Sequence, residues 1–360
     1  DWSINNISDF WEFVWNDVQI IHSKKYTSVV DDQFKMPGAK WFNSSRLNFA
    51  ENLLRNNSDK IALEFYGENK ISKKISYKEL NNLVCKVSHS LKNMGITSGD
   101  RVCAVMPNIP ETVVLMLASV SIGAIWSSCS PDFGIKGILD RFSQIKPKII
   151  FSADGYYFKG KSIIITDKIK KIASSIDTIL NTVVIKYINS KVDFDHISWN
   201  DLIDNNSKVL KFEQLPFNHP LYIMYSSGTT GKPKSIVHSS GGTLIQHLKE
   251  LKYHVNLSKN DKIFYYTTCG WMMWNWLVSS LALGCKIVLY DGNPLYPNDS
   301  SLIDIAHKLD FTVFGTSAKY ISSLNNQNIK PKSIGDFVHL KTILSTGSPL
   351  TEDSFDFVYT

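Results

Sequence analysis

The sequence predicts an α/β fold built on mostly parallel sheets, and three observations carry that expectation. Short apolar runs alternate with helix-spaced stretches along most of the chain. Glycines fall where those helices should stop. Several strand-like runs lead directly into Gly/Ser loops, and ligands in such folds sit beyond the carboxyl ends of strands. The alternation implies right-handed βαβ units and sheets covered on both faces.

The elements follow in order. Residues 1–60 are rich in aromatics (Trp2, Phe10, Trp11, Phe13, Trp15, Trp41, Phe42, Phe49) and read as an N-terminal segment wrapped over a larger body. Ser76 and Glu79 form a capping-box pair ahead of Leu80, Leu83, Val84, Val87, Leu91 and Met94, which share one helix face, and Gly95 ends that helix. "RVCAVM" (101–106) is a buried strand, followed by a helix over 111–122, Gly123 and the strand "AIWSS" (124–128). Ile135, Ile138, Leu139, Phe142 and Ile145 mark the next helix, and "KIIFS" (148–152) the next strand. "SIIIT" (162–166), a lysine-faced helix and "TVVIKY" (182–187) extend the same alternation. The polar stretch 201–220 is the natural boundary, dividing an α/β subdomain at 61–205 from a second at 206–360 that is incomplete at its C-terminus. Beyond it come a strand at 221–225, a helix carrying Leu244, Ile245, Leu248 and Leu251, the aromatic "TTCGWMMWNWLVSSLALG", and the strand "CKIVLY" with its "DGNP" turn. "FTVFGTS" and "LKTILSTGSPL" each read as a strand entering a Gly/Ser loop.

Composition narrows the function classes. The 360 residues are 43% hydrophobic and 20% charged, which describes a globular chain of two domains or one large α/β domain. A net charge of +6 is too dilute for a nucleic-acid surface, and no basic run is interleaved with aromatics. Five scattered cysteines, with no CxxC pair, read as reduced core thiols of a cytoplasmic protein, not a disulfide frame or a metal site. The uncharged stretch 112–129 contains four serines and a glycine before its last residue, and is a buried helix followed by a buried strand rather than a membrane span.

The motif that carries chemistry is "YSSGTTGKPKS" (225–235), directly after the apolar run 221–224. Glycines let a backbone approach a ligand closely, hydroxyls and amides donate hydrogen bonds, and lysines bring positive charge, so the stretch is suited to phosphate. It is not the P-loop of nucleotide hydrolases: counted from Gly228, the second glycine of GxxxxGK[ST] would fall on Pro233. A P-loop also opens a helix at its lysine, whereas Ile236-Val237 favour a strand. A strand–turn–strand flap is expected.

"YSSGTTGKPK" resembles the phosphate loop of the adenylate-forming enzymes, which include acyl-CoA synthetases, luciferases and peptide-synthetase adenylation domains. "WFNSSRLNFAENLL" (41–54) is similar to the N-terminal signature of the short-chain acyl-CoA synthetases. "TTCGWMMWNW", "VLYDGNPLYP" and "STGSPLTEDSFDFVY" resemble the branch that activates acetoacetate. The resemblance implies a multi-layer α/β N-terminal domain followed by a small mobile C-terminal domain. It also implies ATP, Mg²⁺ and coenzyme A as reaction partners, with no nucleic acid and no membrane insertion.

By match to the family motif, Ser226, Ser227, Gly228, Thr229, Thr230, Gly231 and Lys234 bind the ATP phosphates, with Thr230 and Lys234 in catalytic roles and Lys232 solvated. Gly347, Ser348 and Pro349 match the segment along adenine and ribose. Trp271 matches the tryptophan that closes the acyl pocket. A 3-keto oxygen calls for a hydrogen-bond donor, for which Asn275 is the candidate, with a packing or surface position as its rival role. Met272, Met273, Trp274 and Trp276 are assigned to the core, and His238 to a strand rather than to the phosphates. "ADGYYFKGK" (153–161) resembles the CoA-phosphate surface of related enzymes, with Lys161 and Lys159 standing where those have arginines. The chain reads as an N-terminal piece, ending before the family's ribose-binding aspartate and C-terminal lysine, and is expected to be inactive alone. A ligase for acetate or propionate, and a nucleotide-binding protein without complete chemistry, are the alternatives.

Overall fold

Parallel strands gathered into two sheets form the frame of the computed structural model, which describes residues 1–226 and 231–360. The first sheet runs Ile197–Ser198, Asn181–Ile185, Ile149–Ala153, Arg101–Val105, Ile125–Cys129, Pro220–Ser226 and Lys234–Ser239. Every neighbouring pair is parallel except the last. The second runs Thr342–Thr346, Val313–Ser317, Lys262–Tyr265, Lys286–Asp291, Ile61–Gly67 and Ser72–Ser76. It too is parallel until its final, antiparallel pair.

Period-two alternation sets the layers. In Arg101–Val105, Val102 and Ala104 face a core shared with Leu63 and Ile287 of the second sheet. Cys103 and Val105 face Ile138, Phe142, Ile169 and Ile172 on the helices Ile135–Ile145 and Thr166–Ser174. The far side of the second sheet is covered in the same way by Ser301–Leu309 and Ala318–Asn326. Between the sheets lie Tyr77–Asn93 and Pro110–Ser121, giving five layers, helix–sheet–helix–sheet–helix.

Both inner helices follow from local rules. Ser76 Oγ accepts the Glu79 amide at 3.1 Å to start the first, and Gly95, at φ +79°, ends it. Pro110 opens the second, whose Val113 to Ala118 run is wholly buried, each such Val, Leu or Met contributing about 1.5–3 kcal/mol. Its hydroxyls bond inward: Thr112 to Pro107 O at 2.8 Å and Ser119 to Leu115 O at 2.7 Å. The uncharged stretch is therefore a buried helix and strand, and no helix among the described residues is long and apolar enough to cross a membrane. The N-terminal segment packs onto the body through its aromatic residues. Trp15 stacks on Phe42 at 4.6 Å, Phe42 meets Phe217 at 4.9 Å, and Asn48 Nδ2 donates to the carbonyls of Val120, Ser121 and Glu213. All five cysteines are free and buried.

Two expectations need correcting. "SIIIT" does not join the parallel alternation: Lys161–Ile164 pairs antiparallel with Gly155–Phe158 in a separate hairpin. Gly155 starts that hairpin at a point where a Cβ would fall 2.4 Å from Ile163 O. Sheet membership also crosses the 205/206 division twice. Ile61–Gly67 pairs with Lys286–Asp291, and Pro220–Ser226 pairs with Ile125–Cys129. The polar stretch is a connection between sheets already shared by both halves.

Candidate active site

The phosphate motif sits on the edge hairpin of the first sheet. Pro220–Ser226 and Lys234–Ser239 pair antiparallel, with Tyr225 opposite Ser235 and Ser226 opposite Lys234, so the two strands of the expected flap are present. Gly231 adopts φ +97°, a conformation that favours glycine. Ser227, Gly228, Thr229 and Thr230 lie outside the described residues. Lys232 and Lys234 are both exposed, and neither meets a carboxylate among the described residues. The base of the flap is tied to the neighbouring helix, where Gln144 Nε2 donates to Pro233 O at 2.9 Å and Gln144 Oε1 accepts from Ser235 Oγ at 3.3 Å.

Behind the flap stands the helix Met272–Ser279. Asn275 is 2% exposed; its Nδ2 donates to Met224 Sδ at 3.6 Å, and its Oδ1 has no partner. Tyr222 Oη donates to Met272 Sδ at 3.7 Å, and its ring lies 4.9 Å from that of His238. Burial lowers the His238 pKa, so the imidazole is neutral at pH 7. His238 lies on the strand Lys234–Ser239, as the sequence suggests. Trp274 and Trp276 are core residues, while Met272 and Met273 are half-buried. Trp271 departs from its expected role as a wall. It precedes the helix with extended backbone (φ −104°, ψ 151°) and is 64% exposed, so its ring does not close a pocket in this structure.

The third element follows the strand Thr342–Thr346. Gly347 turns the chain at φ +95°, and Ser348 and Pro349 line a cavity of ≈ 420 Å³ with Ala318, Lys319 and Ser322. Ser317 caps the facing helix by accepting the Tyr320 amide at 3.2 Å.

A further cavity of ≈ 270 Å³ lies between the carboxyl ends of strands from both sheets, and sequence reasoning missed it. Its lining includes Asn108, Ser130, Asp132, Tyr157, Thr268 and Asp291. Asn108 Oδ1 accepts the Trp274 indole N–H at 2.9 Å, yet Asn108 Nδ2 and Thr268 Oγ1 are buried without partners. Burial pushes Asp291 up to about 7, the nearby Glu68 charge adding to the effect, while the Tyr187 hydroxyl and the Tyr157 amide oppose it. The loop carrying Thr268 packs against the first sheet: Ser128 Oγ donates to Cys269 O, and Gly270 lies so close that a Cβ would sit 3.4 Å from Ser130 N. The same loop leads into the helix Met272–Ser279, so cavity and helix share a wall. Lys159 and Lys161 flank Gly160 at the turn of the Gly155–Ile164 hairpin, whose Tyr156, Tyr157 and Phe158 line this cavity.

An edge hairpin on a parallel sheet, a groove after a second-sheet strand and a crevice between the two sheets define an α/β protein with its cavities at the carboxyl ends of strands. Residues 49–360 match the AMP-binding enzyme family, to which the chain belongs, and residues 1–53 match the acetyl-coenzyme A synthetase N-terminus. The chain is similar to the acetoacetyl-coenzyme A synthetase of Rhizobium meliloti, at 47% identity over 100% of this chain and 56% of that protein. It is similar to the acetoacetyl-CoA synthetase of Gallus gallus at 46% identity, over 99% of this chain and 56% of the relative. The solved acetoacetyl-CoA synthetase of Streptomyces lividans superposes with a TM-score of 0.96 at 38% identity, covering 99% of this chain and 55% of that one. The chain thus spans about half the length of the curated relatives it matches.

Proposed function

We propose that this chain belongs to an enzyme that joins acetoacetate to coenzyme A at the expense of ATP. The observation that carries the reading is the edge hairpin, which presents an exposed Lys234 and whose Met224 meets the buried polar side chain of Asn275, in a chain 47% identical to an acetoacetyl-coenzyme A synthetase. In the first step a carboxylate oxygen of acetoacetate attacks the α-phosphorus of ATP; the bond to pyrophosphate breaks and an acyl-adenylate forms. In the second, the CoA sulfur attacks the acyl carbon, the carbon–oxygen bond to AMP breaks, and the thiol proton is released.

The first step brings an anion against a polyanion, so the site must neutralise and orient before bonds change. Lys234 supplies charge there. The flap residues 226–231 supply hydroxyls and amides, with Thr230 and Lys234 in the catalytic roles. Gly347, Ser348 and Pro349 run along the base and ribose. Asn275 faces the acid, where its amide donates to the 3-keto oxygen once turned from Met224 Sδ. Trp271, being exposed, contributes at the pocket mouth. The CoA phosphates meet Lys161 and Lys159, and the thiol arm enters the ≈ 270 Å³ cavity.

Mg²⁺ suits such chemistry, but no group of three His, Cys, Asp or Glu capable of holding a metal occurs among the described residues. Bound together with ATP, Mg²⁺ would help neutralise the phosphate charge. Reduced thiols in a chain of this kind suit the cytoplasm.

The match of residues 1–53 to the acetyl-coenzyme A synthetase N-terminus supports a second reading, a two-carbon acid. The test is acid-dependent ATP–pyrophosphate exchange by the protein from its complete reading frame, across two- to six-carbon acids. Acetoacetate should lead the panel. A preference for acetate selects the second reading, and no exchange with any acid rejects both.

A further inference from the structure

The Gly155–Ile164 hairpin joins neither sheet, yet two carboxylates of the second sheet meet it. Glu68, just past Ile61–Gly67, accepts the Gly160 amide and, through its other oxygen, the Asn293 amide at 2.6 Å. Asp291 ends the adjacent strand, in register with Gly67, and accepts the Tyr157 amide at 3.5 Å. The tip is shaped for this seat: Gly160 has φ +74°, and a Cβ there would fall 2.2 Å from the Tyr296 hydroxyl. Docked this way, the hairpin closes one side of the ≈ 270 Å³ cavity with Tyr156, Tyr157 and Phe158.

We propose that Glu68 and Asp291 are positioning residues that seat this hairpin, and that ionisation of Asp291 releases it, so the cavity holds its thiol substrate less well as pH rises. The substrate half of this rests on the reading of the cavity given above; the seating of the hairpin does not.

Asp291 is faced by Tyr156 and Tyr157 of the hairpin, by Tyr187, by Glu68, and by Tyr266 and Cys269 of the wall loop. None of these is a cation, and among the described residues Asp291 is in no ion pair. A neutral carboxyl can occupy this site and still accept the Tyr157 amide. An ionised one places a second negative charge beside Glu68 in a desolvated crevice. Burial pushes Tyr156, Tyr187, Tyr266 and Cys269 upward, which leaves Asp291, at about 7, as the group able to switch near neutrality. Because its pKa is raised when the hairpin is seated, seating is favoured below about pH 7 and weakens above it.

Hydrogen exchange of the 155–164 segment, corrected for intrinsic rates, reads the seating directly in the protein from its complete reading frame. Between about pH 6 and about pH 8 the protonated fraction of Asp291 falls roughly tenfold, and hairpin protection should fall with it. Asp291→Asn keeps an acceptor without the charge, so protection should stay high at both pH values. Glu68→Ala should lower protection at both, and Glu68→Gln should restore it. In parallel, the KM for CoA should rise with pH in the wild type and not in Asp291→Asn. Wild-type protection that ignores pH, or an Asp291→Asn variant that keeps the wild-type pH dependence, overturns the proposal. If CoA is not used at any pH, the reading of the cavity fails while the exchange data still decide the seating.

Discussion

Replacing Lys234 by alanine tests the flap more sharply than any other single change. The side chain is exposed, has no carboxylate partner among the described residues, and opens the strand opposite Ser226. A lysine about 4 Å from a phosphate oxygen interacts by about 1 kcal/mol in water and about 4 kcal/mol at an effective dielectric of about 20. The lysine's exposure places it toward the lower part of that span, about 1–3 kcal/mol, because solvent screens it. Lys234→Ala should therefore slow adenylate formation about 5- to 150-fold. Lys232, equally exposed but lying before Pro233 and outside the strand, should cost less than about twofold on the same scale. The assay is acetoacetate-dependent ATP–pyrophosphate exchange at low and high salt, with the Lys234 effect shrinking as salt rises. Thr230→Ala should follow Lys234→Ala. Equal losses at positions 232 and 234 would refute the assignment of charge within the flap.

Asn275→Ala should lower acetoacetate activation about 10- to 100-fold while leaving butyrate within about threefold, since only the keto acid loses a hydrogen bond; equal losses in competition assays would return Asn275 to a packing role. Gly241→Ala places a Cβ 2.1 Å from the Phe217 ring, which Phe42 hems in at 4.9 Å, and should cost about 1–3 kcal/mol in denaturant unfolding. An unchanged midpoint would show that the ring yields freely. Asp100 is partly desolvated, which raises its pKa, but Lys148 Nζ at 2.8 Å and the Thr97 amide at 2.9 Å outweigh that and hold it below the usual carboxylate range. Its contribution is thus present above about pH 4 and lost as pH falls through the lowered value. Asp100→Asn should destabilise at about pH 7 and do so much less near about pH 2; an equal deficit at both would show that the charge is not what matters.

Much of the frame was legible because local rules and burial agree. Helix Ile135–Ile145 has the bounds its apolar spacing suggests, and Ser76, Gly95 and Gly123 mark ends that hydrogen bonds and positive φ confirm. The flap was legible because Pro233 and the Ile236-Val237 pair exclude a helix at that point. Sheet membership was not, because no local pattern tells Ile61–Gly67 to pair with a strand more than two hundred positions away. "SIIIT" has the apolar run of a buried parallel strand, and only the turn at Lys159-Gly160 sends it back along its neighbour. The cavity between the sheets was silent for a similar reason. Asp291 reads as the first residue of the "DGNP" turn until the fold brings it together with Asn108.

The helix Pro110–Ser121 belongs to both sheets at once, and each sheet borrows strands from both sides of the polar connection. A protease that nicks residues 205–211 would therefore break the chain without dividing the body. The two polypeptides would remain interlocked through shared strands, and would migrate as one particle until a denaturant pulled them apart.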